Sequence, residues 1–243
     1  MRTLCAALTG IAALTSIAGA QAGRAAPVPP PAGSYQITGL GDDGSRYTGT
    51  SQLALVSGTK YSASWVIGPN TYAGVCINTN PTVSCVSCPQ GGAHAAPTLF
   101  QYFAYPDRLD GITMELAAAQ ATSEFLLPAA PARLNYQTLL GTYTARRTVP
   151  GTAPTTGTVA FRSAIPKPGT FTIEWTFGAV KSAGIAIRGG ATADVVTAAT
   201  CAGAVAYSAI DYTVTQGGKV LNGKWIQTVN GRITTGTEVM MRQ

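Results

Sequence analysis

Four cysteines that follow the N-terminal leader, Cys76, Cys85, Cys88 and Cys201, are the residues whose chemistry is easiest to place. An even number in an exported chain favours disulfides, and four allow three connectivities. Cys76 and Cys85 flank a turn-like Asn78-Thr79-Asn80-Pro81. A hairpin centred between Asn80 and Pro81 sets them opposite each other, with Cβ atoms about 4.5–5.5 Å apart, close enough to relax to the ~3.8 Å of a bridge. Cys88 and Cys201 stand at similar places in two halves of the chain, so the favoured pairing is Cys76 with Cys85 and Cys88 with Cys201. A zinc site of Cys76, Cys85, Cys88 and His94 is the sharper alternative, and the Cys85-x-x-Cys88 spacing fits it. A thioredoxin-like role for that spacing needs a helix N-terminus to lower the thiol pKa, and none is predicted there.

Other chemistry is sparse. His94 is the chain's single histidine and sits in a Gly- and Ala-rich stretch with no obvious partner. Ser57-Gly58-Thr59-Lys60 spells the S-x-x-K string of penicillin-binding enzymes, but in a predicted hairpin turn rather than a helix. Gly41-Asp42-Asp43-Gly44-Ser45 lacks the full ligand pattern of a calcium loop and reads as a turn. Glu124 and Glu238 occupy matching places in the two halves and read as outward residues or as hydrogen-bond acceptors at a barrel end. Trp65, Trp175, Trp225, Phe171 and Phe177 are the residues to line a ligand pocket if one exists; core filling is the competing reading. No catalytic residue, metal or cofactor is assigned.

The elements that carry these residues come from an internal duplication. Gly33, Tyr35, Thr48, Gly49 and Thr50 recur 108 residues later as Gly141, Tyr143, Thr156, Gly157 and Thr158. Trp65, Gly68, Ala73, Gly74 and Ile77 recur at 110 as Trp175, Gly178, Ala183, Gly184 and Ile187. Leu109 and Gly111 match Leu221 and Gly223 at 112, and Glu124 matches Glu238 at 114. The offset grows in small steps between predicted strands, where length changes are cheap. Tyr61, Ala63, Trp65 and Ile67 alternate with polar residues, as do Phe171, Ile173, Trp175 and Phe177, which is the period of a half-buried strand.

Strands are predicted at 35–39, 49–56, 60–67, 71–78, 82–87, 99–105, 109–116 and 119–126, and again in the second half. Ala73, Val75 and Ile77 of the fourth strand, with Ala183, Ile185 and Ile187, are read as facing inward. Met114–Ala121 has helical propensity, which the repeat pattern overrules. The expected fold is all-β: a tandem duplication of small antiparallel eight-stranded meander barrels, with β-sandwich-like halves as the alternative. The units are a signal peptide over 1–22, a Pro-rich leader over 23–33, repeat 1 over 34–130 and repeat 2 over 138–243.

Composition agrees. The chain of 243 residues is 46% hydrophobic and only 11% charged, which excludes disorder. Its formal charge is +6, without the Lys/Arg clusters of a nucleic-acid binder. No segment after the leader is apolar enough to span a membrane as a helix.

The string formed by Gly33, Tyr35, Gly44, Tyr47, Gly49, Thr50, Tyr61, Trp65, Ile67, Gly68, Tyr72, Gly74 and Val75, closed in the second half by Leu221, Gly223, Trp225, Thr237 and Glu238, resembles exported bacterial β-repeat proteins loosely labelled fibronectin-binding protein. The chain departs from that pattern at Thr113, where repeat 2 has Trp225, and at Ala145-Arg146-Arg147. The resemblance implies surface adhesion and brings no site residues with it. The functional expectation is a non-catalytic binding protein of the bacterial envelope, periplasmic or at the cell surface, whose partner is an envelope or extracellular protein or polymer. The alternative is a carrier of a small apolar ligand inside a barrel.

Overall fold

The structure is a computed structural model and describes residues 32–91, 96–129, 139–165, 167–189 and 194–243. The segment expected to be a signal peptide, nearly all of the expected Pro-rich leader and His94 lie outside the described residues. Among those described there are sixteen strands, one short 3-10 turn and no α-helix.

Barrel I closes in the order β1 (Gly33–Gly41), β16 (Arg232–Arg242), β15 (Val220–Val229), β14 (Ala206–Thr215), β5 (Thr82–Pro89), β4 (Asn70–Asn78), β3 (Lys60–Ile67) and β2 (Arg46–Ser57). Barrel II closes in the order β10 (Thr155–Ser163), β11 (Thr170–Phe177), β12 (Val180–Gly189), β13 (Val195–Thr200), β6 (Thr98–Ala104), β7 (Leu109–Glu115), β8 (Thr122–Pro128) and β9 (Gly141–Thr148). The neighbouring strands pair antiparallel, and closure leaves no bare edge. Two-residue turns include Gly68-Pro69 after β3 and Gly178-Ala179 after β11. Both glycines have positive φ, 55° and 59°, which the hairpin twist requires and other residues resist.

The eight-stranded barrels are as expected, but they do not follow chain order. The chain leaves barrel I after β5, builds β6–β13 of barrel II, and returns as β14. Each barrel therefore takes five strands from one repeat and three from the other, so neither 34–130 nor 138–243 makes a barrel by itself. Two similar repeats can exchange equivalent strands and keep almost every pairing, which is why the pattern of residues is the same either way.

The exchange lays the barrels side by side with a third core between them. Val75, Ile77 and Val86 of barrel I meet Leu99, Ile185, Ile187 and Ala199 of barrel II. The expectation that Val75, Ile77, Ile185 and Ile187 point into their own barrels is thus corrected. On β4 it is Cys76 that faces the interior of barrel I. The strand is buried on both faces from Gly74 to Asn78, and a strand covered on both faces loses the alternation that would reveal its direction. Burying each such Ile or Val stabilises by roughly 1.5–3 kcal/mol. Met114–Ala121 continues as strand only to Glu115.

Both favoured disulfides are present. Cys76 and Cys85 are direct cross-strand partners, with Cα atoms 4.1 Å apart. Cys88, the second-to-last residue of β5, bridges to Cys201, just past β13, so the bond joins the two barrels where the chain crosses over. With the sulfurs used in this way, the zinc and redox alternatives lose their thiolates. Among the described residues no group of three His, Cys, Asp or Glu side chains could hold a metal ion. Nor is any helix among the described residues long and apolar enough to cross a membrane. The two bridges fit an oxidising, exported setting.

Strand exchange has a direct consequence. A protease site placed within 130–138 and cut, followed by reduction of Cys88–Cys201 without denaturant, leaves two fragments that co-elute on gel filtration at the mass of the whole chain. Independent elution of the two halves would contradict the exchanged topology.

Candidate functional site

Each barrel encloses a tryptophan, a tyrosine and a glutamate in one hydrogen-bonded line. In barrel II the indole Nε1 of Trp175 donates to the Tyr102 hydroxyl at 2.9 Å, and Tyr102 donates to Glu124 Oε2. In barrel I Trp65 Nε1 lies 3.4 Å from the Tyr212 hydroxyl, and Tyr212 donates to Glu238 Oε1. In both lines the Trp comes from one repeat and the Tyr–Glu pair from the other, so strand exchange assembles them. Period-two alternation on β11 and β3 turns Trp175 and Trp65 inward; Glu124 and Glu238 face inward too, both nearly solvent-free. The reading of these glutamates as outward residues is therefore corrected.

The other oxygen of each carboxylate is satisfied differently. Glu124 and Arg147 are cross-strand partners, and the guanidinium donates to Glu124 Oε1 through Nε at 3.1 Å and Nη2 at 2.8 Å. In barrel I the partner of Glu238 on β1 is Gly39, at the position equivalent to Arg147. A Cβ at Gly39 would lie 2.0 Å from the Tyr47 ring, so only glycine admits that ring across the strand pair. Tyr47 then donates its hydroxyl to Glu238 Oε2 at 2.8 Å. Burial raises the pKa of Glu238, against the pull of the Tyr212 and Tyr47 hydrogen bonds. Burial, then the adjacent carboxylate charge, raises Tyr47 and Tyr212.

A second set of differences decides what fills each barrel. In barrel II Phe100 stacks on Trp175 with ring centroids 4.2 Å apart. The Arg147 guanidinium sits 3.9 Å from the centroid of Phe177. Phe161 packs edge-on against Tyr143 and Phe171. Barrel I has Ile210 where barrel II has Phe100, and Ile67 where it has Phe177. Barrel I has a cavity of about 560 Å³ there. Its lining includes Trp65, Ile67, Ile210 and Glu238. Around it stand Tyr47, Tyr72 and Trp225, where barrel II has Thr155, Ser182 and Thr113. The Trp225 Nε1 makes no hydrogen bond of good geometry, although the Tyr47 phenol is its neighbour, ring centroids 6.4 Å apart.

Asp42, Asp43 and Ser45 of the β1–β2 turn and Arg232 also line the cavity, and barrel II adds Ile165. Lys167 follows, with Nζ 2.6 Å from Asp42 Oδ2 and 3.2 Å from Thr235 Oγ1. Both charges of this pair are half exposed, so it contributes little beyond position.

Of the pocket residues expected from sequence, Trp65 and Trp225 line this cavity, whereas Trp175, Phe171 and Phe177 sit in the interior of barrel II. Sequence reasoning missed Tyr47, Tyr72 and Gly39. The signal for them was the departure of the repeats from each other at Thr113 against Trp225 and at Arg147. The S-x-x-K residues are cross-strand partners at the β2–β3 turn, where Lys60 is buried and donates to the carbonyls of Leu116 and Ala118, each at 2.6 Å, and Ser57 is exposed.

No known protein family, curated protein or solved structure matches the chain.

A third polar cluster lies between the barrels. Thr197 Oγ1 of barrel II is 2.7 Å from Asp211 Oδ2 and 2.6 Å from Ser84 Oγ of barrel I, and Gln101 Nε2 donates to Ser84 at 2.8 Å. Burial pushes the Asp211 pKa up to about 7, against the hydrogen bonds from Thr197 and Ser84. A carboxyl that holds its proton more tightly folded than unfolded gives stability that is full below the unfolded pKa and lost as pH rises through the folded one. Glu238 acts in the same direction. Chemical denaturation should therefore show the wild type gaining on the order of a few kcal/mol from pH 7.5 to pH 5. Asp211→Asn should remove most of that gain. An unaltered pH slope in Asp211→Asn would contradict the assignment.

Proposed function

We propose that this protein is a non-catalytic, exported binding protein of the bacterial envelope that holds a small, largely apolar molecule inside barrel I. The observation that carries the reading is the cavity of about 560 Å³ in barrel I, behind aromatic residues, where barrel II packs Phe100 on Trp175 and Arg147 on Phe177. That volume lies in the range of small-molecule sites, which join apolar walls to a few placed polar groups. Here the walls are Trp65, Ile67, Ile210 and Trp225, and the polar groups are Glu238 and Tyr47.

Surface recognition of an envelope polymer, the role implied by the resemblance, has no comparable feature behind it. The ligand-carrier reading is accordingly preferred.

N-phenyl-1-naphthylamine, a neutral apolar dye that brightens out of water, tests this. Wild-type protein should bind it. Ile67→Phe with Ile210→Phe, which copies the filling of barrel II, should weaken binding by at least about tenfold while near-UV circular dichroism stays folded. Equal binding by both proteins would exclude the cavity as the site.

A further inference from the structure

Resting on that reading, we infer that the ligand of barrel I is a small organic cation, an amidinium, guanidinium or amine on a flat apolar body, with its charge held against Glu238. The filled barrel supplies the template. At the equivalent place in barrel II a guanidinium already lies in the interior, making two hydrogen bonds to one oxygen of Glu124 and resting on the face of Phe177. It arrives on the side chain of Arg147. In barrel I that side chain is absent at Gly39, yet the carboxylate it would pair with is kept.

Tyr47 compensates only in part. Its hydroxyl gives Glu238 Oε2 one hydrogen bond where Arg147 gives Glu124 Oε1 two. A carboxylate oxygen accepts two, so Glu238 retains acceptor capacity, and it lines the cavity. Among the described residues no cation is paired with this buried carboxylate, and an entering cation would supply the missing charge.

The walls suit the same ligand. Tyr47, Tyr72, Trp65 and Trp225 line the cavity, and aromatic faces attract cations most strongly out of water. The rim is close to neutral, since Asp42 pairs with Lys167 and Asp43 is near Arg232. Preference for a cation therefore originates at the buried end of the cavity. A bound cation would oppose the burial that raises the pKa of Glu238.

Three molecules of one shape and different charge test the inference: benzamidine, benzamide and benzoate, titrated calorimetrically into the full chain at about pH 8, where they are cationic, neutral and anionic. Benzamidine should bind about tenfold or more tightly than benzamide, with benzoate weakest. Glu238→Gln should bring benzamidine down to the level of benzamide. Where Glu238→Gln does not fold, Gly39→Arg with Tyr47→Thr serves instead: it copies Arg147 and Thr155, installs an internal guanidinium, and should abolish benzamidine binding. Equal binding of all three, a preference for benzoate, no benzamidine binding, or unchanged benzamidine affinity in the variant that folds would each overturn the inference. If the neutral dye still binds and is lost with Ile67→Phe and Ile210→Phe, the cavity reading survives that failure; if the dye also does not bind, both fall.

Discussion

A carboxylate taken out of water must find a donor for each oxygen, and this requirement organises both barrels. Leaving such a group unsatisfied costs more than most single contacts return. Glu124 and Glu238 meet the need alike on one side, through a tyrosine that is itself anchored by an indole. On the other side they diverge, guanidinium in one barrel and phenol in the other. That choice propagates. The guanidinium needs an aromatic face, which Phe177 provides, and the pair fills the interior. The phenol needs a glycine opposite, and the space that Arg147, Phe177 and Phe100 fill in barrel II is left open in barrel I. One architecture thus carries an arginine–aromatic stack in one barrel and a cavity in the other.

Because the repeats trade their last three strands, each tryptophan reaches a carboxylate of the other repeat. Exchange costs little inside either barrel, since equivalent strands present equivalent side chains. What it adds is the apolar layer between barrels, the Asp211–Thr197–Ser84 cluster, and a place for Cys88–Cys201 at the two crossovers. A bridge of sequence separation 113 closes a long loop, the case in which the chain-entropy model expects a large restraint on the unfolded state. The filled barrel and the joint can then serve as a rigid support for the hollow one.

Much of this was legible before any coordinates. Alternation marked β3 and β11 because one face of each meets the wetter side of a barrel. The turn at Asn78–Pro81 pointed to Cys76–Cys85, and matched positions pointed to Cys88–Cys201. Three things were hidden for physical reasons. Exchange leaves the pairing pattern unchanged, so no residue betrays it. Val75 and Ile77 are apolar because a second barrel covers them, and an apolar residue does not say which core it joins. Gly39 and Tyr47 acquire meaning only as a pair across two strands, and the key to them was the mismatch with Arg147, not the similarity of the repeats.

Equilibrium urea unfolding of Arg147→Met beside Tyr47→Phe measures the central asymmetry directly. Removing Arg147 strands a buried charge and should cost about 3 kcal/mol; removing the Tyr47 hydroxyl deletes one hydrogen bond among others and should cost about 1 kcal/mol. Equal losses, or a larger loss for Tyr47→Phe, would contradict the account of how the twin barrels came to differ.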